Sequence, residues 1–236
     1  MAKRGKLKKI EEVSTEQRPV RFKRYQYLFL IVCEDEKTEP AYFQKFQENI
    51  PPETMYLKTV GTGRDAKGVV EKTLEERNSL AKEAKREVDV TWAVFDTDDA
   101  DQNETRVQRF LAAFEIGQEN NINLAYSNEV FELWLLMHLT EVTFRPALPR
   151  ARIYKLLQEH ICQHPDHAGF NYEHGDTEVL NIIQAIGSQE EAIERAKNLL
   201  EQHGERMPIN ANPSTKVHLL VQDLLGWITY YSYGAK

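Results

Sequence analysis

Four short apolar runs alternate with stretches of helical period through the first part of the chain. Residues 25–33 (YQYLFLIVC) are dense in aromatic and branched side chains, as in a strand buried on both faces. Residues 55–60, 88–95 and 121–126 are three further strand candidates. After the first run Thr38 reads as an N-cap and Pro40 fits a first helical turn. That helix presents Tyr42, Phe43, Phe46 and Ile50 on one side before Pro51 and Pro52 stop it. Residues 69–86 and 105–115 carry the next two helices, the latter spacing Val107, Phe110, Leu111 and Phe114 at helical intervals. This alternation predicts an α/β fold, a parallel four-stranded sheet flanked by helices on both faces.

Ser127 or Asn128 then caps a helix running toward Leu139 that is apolar on most sides and so belongs in the interior. Glu132 stands out there, because an isolated buried charge is costly and calls for a partner or a cation. His138 reads as a histidine satisfied in the core or at its rim. Beyond Arg145-Pro146-Ala147-Leu148-Pro149 the pattern is helical only, with helices expected at 151–161, 177–186, 189–203 and 214–229. The expected organisation is a basic arm (1–21), an α/β domain (22–145) and a C-terminal helical extension packed on it (146–236).

Composition narrows the setting. The net charge of −7 hides a split, since residues 1–24 hold nine Lys/Arg against three Glu and the remainder is strongly acidic. An acidic body is not the pattern of a protein that coats nucleic acid electrostatically, although the arm offers contacts to phosphates. No apolar run approaches the roughly 20 residues of a membrane span, and no secretory leader is legible at the basic N-terminus. Cys33 and Cys162 are the only cysteines, which argues against a disulfide framework and points to a reducing, cytoplasmic location.

The candidate chemistry lies where the third strand ends, at Phe95-Asp96-Thr97-Asp98-Asp99. If the strand continues, Asp96 and Asp98 point the same way, and paired carboxylates suit an oxygen-ligated divalent cation, Mg²⁺ or Mn²⁺. A plainer reading makes one Asp the cap of the next helix. Glu34 falls at the end of the first strand, and strand ends in such a sheet share one edge, where ligands bind. Glu34, Asp96, Asp98 and Asp99 are therefore the candidate metal ligands. Glu39, Asp99 and Glu132 are candidates for a second cation or a general base, and Lys37 and Lys216 for cationic partners of a transition state. The Gly61–Gly68 loop matches no phosphate-loop pattern and reads as a turn, with Arg64 and Lys67, like Lys37, as candidate phosphate contacts. The His160, Cys162, His164, His167, His174 and Asp176 stretch is a poor match to zinc-site spacing.

A strand ending in Glu followed by Val94-Phe95-Asp96-Thr97-Asp98 resembles the Toprim domain of topoisomerases, primases and OLD-type nucleases. More narrowly, Val32-Cys33-Glu34-Asp35-Glu36-Lys37-Thr38-Glu39-Pro40-Ala41-Tyr42-Phe43 is similar to the RloB-like family, as are the segment from Ser127 to His138 and Asn212-Pro213-Ser214-Thr215-Lys216-Val217. This chain has Asp35 where that family has Gly, and Glu129 where it has Pro. The resemblance implies a Mg²⁺-dependent nuclease of DNA or RNA in prokaryotic anti-phage abortive infection, controlled by an ABC/AAA-type ATPase, with homo-oligomers possible. It carries the Toprim glutamate to Glu34 and the Asp pair to Asp96 and Asp98, and leaves the roles of Glu132 and of Asn212 to Lys216 open. Two other classes stay in view: an Asp-x-Asp phosphatase or nucleotide-sugar transferase, and a non-catalytic Toprim-like regulatory subunit.

Overall fold

The computed structural model of the chain describes residues 20–98 and 103–234. Its centre is a five-stranded sheet in the order β2-β1-β3-β4-β5. The strands are β1 (Tyr27–Cys33), β2 (Met55–Gly61), β3 (Val90–Asp96), β4 (Asn123–Asn128) and β5 (Ser214–Thr215). The first four run parallel, and β5 joins β4 antiparallel. The expectation of four strands is thus corrected to five. Ser214 does not begin a helix. Together with Thr215 it pairs with the end of β4, Thr215 opposite Ser127 and Ser214 opposite Asn128.

The helices are α1 (Thr38–Gln44), α2 (Ala66–Ala84), α3 (Glu104–Glu119), α4 (Glu132–Met137), α5 (Arg150–Cys162), α6 (Glu178–Ile186), α7 (Gln189–His203) and α8 (Val217–Gly234). Among the described residues no helix is long and apolar enough to cross a membrane.

All seven residues of β1 are buried, and successive side chains serve opposite faces. Tyr27, Phe29, Ile31 and Cys33 join Trp92, Val94 and Ala125 in a cluster completed by α1 and α4 to α8. Leu30, Val32, Ala93, Phe95 and Tyr126 face α2 and α3 in a second cluster. The period of two therefore assigns every carboxylate at a strand end to a face. Asp96 continues the Trp92–Val94 side, beneath α1 and α4.

Two caps differ from expectation. The Thr38 hydroxyl accepts no cap bond; Asp35 Oδ2 accepts from Thr38 N, and Glu39 Oε2 reaches back to Asp35 N at 3.0 Å. This reciprocal arrangement works as a capping box does, satisfying amides that the helix start leaves open. Ser127 and Asn128 are not caps either, because β4 runs through both and α4 begins only at Glu132. The strand persists there because Ser127 pairs with both β3 and β5, and Asn128 pairs with β5.

Candidate active site

Register places Glu34 and Asp96 side by side. Cys33 pairs with Val94 across β1 and β3, and Glu34 N donates to Val94 O at 2.9 Å. Glu34 Oε2 in turn accepts from Asp96 N at 3.0 Å. The turn that carries Glu34 is pinned from the other flank by Gly61, where a Cβ would lie 2.6 Å from both Asp35 O and Glu36 Cα. No larger residue fits at this close approach without displacing the turn.

Asp96 is half-buried beneath α1 and α4. Its Oδ2 accepts from Phe131 N at 3.0 Å, while its Oδ1 is buried without a hydrogen-bond partner. Burial pushes the Asp96 carboxyl well above the usual range, reinforced by the nearby charges of Glu39, Glu34 and Glu132. Burial also raises Glu39, with Glu34 the strongest charge against it. Glu34 is pushed up to about 8, chiefly by burial and then by Asp98 and Asp65. Three carboxyls that resist ionisation together, one with an orphaned oxygen, are a donor set that a divalent cation relieves.

Asp98 departs from the expected geometry. The strand ends at Asp96, and Asp98 adopts φ +51°, so the two side chains do not simply share a strand face. Asp98 N donates to Glu129 O at 3.2 Å, and its carboxylate forms an ion pair with Arg150, the first residue of α5. Asp98 nevertheless lines the same cleft as Glu34 and Asp96. Among the described residues no three Asp, Glu, His or Cys side chains already form a cation's ligand shell. The donor chemistry fits an oxygen-ligated cation, and Glu34 and Asp96 with Asp98 are the residues that would hold it. Asp99, the remaining candidate ligand, lies outside the described residues.

Glu132 is 3 % exposed and is the buried acid the sequence singles out. Its partners come from the segment between α5 and α6: Tyr172 Oη donates to Glu132 Oε1, and His174 Nδ1 lies 3.3 Å from the same oxygen. That contact holds the His174 imidazole above its usual pKa. His174 is thereby paired with Glu132, and Cys162 Sγ donates to Phe170 O at 3.2 Å.

The cationic candidates are dispersed. Lys216 stands 5.6 Å over the Tyr126 ring, on the α2–α3 face, and does not line the carboxylate cleft. Lys37 is exposed at the start of α1, and Lys67 lies 3.5 Å from Glu71. Arg64 does reach the cleft, joined by Arg106 and Arg109 from α3, which sequence reasoning missed. Both sit within α3, whose apolar spacing drew attention to its other side.

The Asn212–Lys216 motif has a structural role. Asn212 Oδ1 accepts from Leu148 N at 2.7 Å, and its Nδ2 donates to Glu129 Oε1 at 2.7 Å. Ser127 Oγ and Thr215 Oγ1 meet at 3.1 Å, and Lys216 N donates to Tyr126 O at 2.8 Å. The motif locks β5 against β4 and ties the Leu148 segment to the residue after that strand.

Fold and cleft together define an α/β protein with half-buried acids at the carboxyl ends of adjacent parallel strands. The family model of the RloB-like proteins matches residues 29–224, so the chain belongs to the RloB-like family. No curated protein and no solved structure matches it.

Proposed function

We propose that this RloB-like protein is a Mg²⁺- or Mn²⁺-dependent phosphodiester hydrolase acting on DNA or RNA, with a Toprim-like arrangement of its acids. The observation carrying this reading is the junction of Glu34 with Asp96. The half-buried Glu34 carboxylate accepts from the Asp96 backbone N–H across adjacent parallel strands, both carboxyls have raised pKa, and Asp96 Oδ1 has no partner. When bound, a divalent cation neutralises a phosphodiester and lowers the pKa of an attacking water. Glu34 and Asp96 would hold it, with Asp98 completing the set once released by Arg150. The rigid strand ends orient these acids, and the roof of α1 and α4 excludes water from the Asp96 side. Glu39 and Glu132, close enough to influence the Asp96 charge, are the acids placed to accept a proton.

Family membership and the resemblance support a biological setting in anti-phage abortive infection, with an ABC/AAA-type ATPase controlling the subunit. The test is cleavage of DNA and RNA panels with Mg²⁺ or Mn²⁺, alone and with the neighbouring ATPase. Glu34→Gln and Asp96→Asn should each abolish cleavage, and activity surviving either change would sink the proposed site. One observation favours a second reading, a non-catalytic regulatory subunit: Arg150 already occupies Asp98. Full phage resistance from Asp96→Asn in the presence of the partner would support that alternative.

A further inference from the structure

The cleft beside the carboxylates has a wall of opposite character. Its volume is about 420 Å³, and it is lined by Glu34, Asp65, Asp96 and Asp98 together with Arg64, Arg106 and Arg109. Three guanidiniums at one cleft are notable in a chain whose net charge is −7. Each is positioned differently. Asp65 caps α2 by accepting from Gly68 N at 3.0 Å and grips Arg109 through both carboxylate oxygens, the Nη2–Oδ1 arm being 2.6 Å. The grip fixes the plane of the Arg109 guanidinium at the cleft and lowers the Asp65 pKa. Arg106 Nη1 donates to Asp98 O at 3.3 Å, so it sits on the backbone of a candidate ligand. Arg64 is exposed and forms no ion pair among the described residues, and its aliphatic stem packs against Gly68, where a Cβ would lie 2.9 Å from Arg64 Cβ.

This asymmetry separates two tasks. Glu34 and Asp96 are half-buried and resist carrying charge, whereas Arg64 and Arg106 are exposed on the open side and stay cationic at every physiological pH. With Asp65 neutralised by Arg109, the unpaired positive charge on this wall belongs to Arg64 and Arg106. Guanidinium forks match phosphate oxygens bidentately, and guanidiniums from the loop before α2 and from α3 suit successive phosphates of a strand better than one isolated anion.

We infer that Arg64 and Arg106, braced by the Arg109–Asp65 pair, form a seat for the sugar–phosphate backbone of a nucleic-acid strand, holding phosphates that flank the one presented to Glu34 and Asp96. The inference rests on the proposed hydrolase reading and names how that site takes its substrate. The arginines are positioning residues; their effect falls on strand binding and not on the chemistry of a small ester.

The experiment measures binding of fluorescently labelled single-stranded DNA and RNA oligonucleotides to the full chain by anisotropy, in EDTA and over a salt series. Arg64→Ala and Arg106→Ala should each weaken binding about tenfold, as expected for loss of a charge-assisted phosphate contact. Each should also flatten the dependence of log K on log salt by about 0.7. Lys82→Ala, an exposed cation in the last turn of α2, should change neither quantity. Inorganic triphosphate and ATP are run as competitors, and equal competition by either overturns the strand seat in favour of a site for free nucleotide phosphates. Unchanged affinity and slope in the Arg64→Ala/Arg106→Ala double variant also overturns it, even where Glu34-dependent cleavage is intact. Arginine-dependent binding without cleavage under any divalent cation leaves the seat standing and removes the hydrolase.

Discussion

Arg150 forms an ion pair with Asp98, so one of the acids offered to a cation is already held by a side chain from the segment after the fourth strand. Asp98 is 44 % exposed and Arg150 35 %, so water screens the pair and it contributes no more than about 1 kcal/mol. The guanidinium competes directly with any divalent ion for that carboxylate. Arg150→Ala is expected to tighten Mn²⁺ binding about threefold, within what such a pair can contribute, read by electron paramagnetic resonance titration. Weaker Mn²⁺ binding in the variant would show that Arg150 helps the site and does not compete for it.

Cation affinity should rise with pH through the range where Glu34 titrates. In the folded, metal-free chain Glu34 is pushed up to about 8 by burial, above its ordinary value of 4.5. A carboxyl raised in this way stabilises the fold fully below about 4.5 and loses that contribution as pH rises through about 8. A bound cation requires the ionised form, so its binding expels the proton. Between pH 6 and pH 7 the Mn²⁺ affinity is expected to rise about tenfold or more, Glu34 releasing one proton per ion and Asp96, raised as well, a second. Calorimetry in buffers of different ionisation enthalpy checks the proton count, and a flat affinity from pH 6 to 9 contradicts the assignment of Glu34 as a ligand.

Removing the Tyr172 hydroxyl should destabilise the fold through Glu132. That buried carboxylate takes its hydrogen bonds from Tyr172 and His174, and losing a donor leaves part of its desolvation uncompensated. Tyr172→Phe is expected to cost about 1–3 kcal/mol, measured by urea denaturation at neutral pH. Glu132→Gln in the Tyr172→Phe background should recover part of the loss, because a neutral amide is cheaper to bury than an unpaired carboxylate.

Asn212 supplies a test of the motif near the C-terminus. Its amide joins Leu148 N, Leu148 O and Glu129 Oε1. Asn212→Ala should lower stability by about 2 kcal/mol. Asn212→Asp keeps an acceptor for Leu148 N but sets a carboxylate against Glu129, so its penalty should equal or exceed that of Ala at pH 7 and shrink under acid conditions. Thermal melts from pH 4 to 8 decide it, and an Asp variant as stable as wild type would exclude the Glu129 contact.

Local signals carried much of the architecture. The apolar run ending at Cys33 is buried throughout, and α4 is buried as its nearly continuous apolar surface requires. Glu34 and Asp96 were legible because β-strand ends in an alternating α/β pattern must share an edge. The errors have two sources, a distant segment and a nearby competitor. Ser127 and Asn128 have good capping side chains, yet pairing with Ser214 and Thr215 keeps them in a strand. Thr38 has the chemistry of a cap, yet Asp35 stands nearer the open amide.

The residues alone dictated the alternating strands and helices, the buried position of Glu132 and the meeting of Glu34 with Asp96, because period, chain order and the cost of burying charge are local or topological constraints. Packing alone decided that Arg150 holds Asp98, that Tyr172 and His174 satisfy Glu132, and that Arg64, Arg106 and Arg109 face one cleft. These contacts join side chains far apart along the chain. No periodicity encodes them, and they exist only once the helices have docked on the sheet.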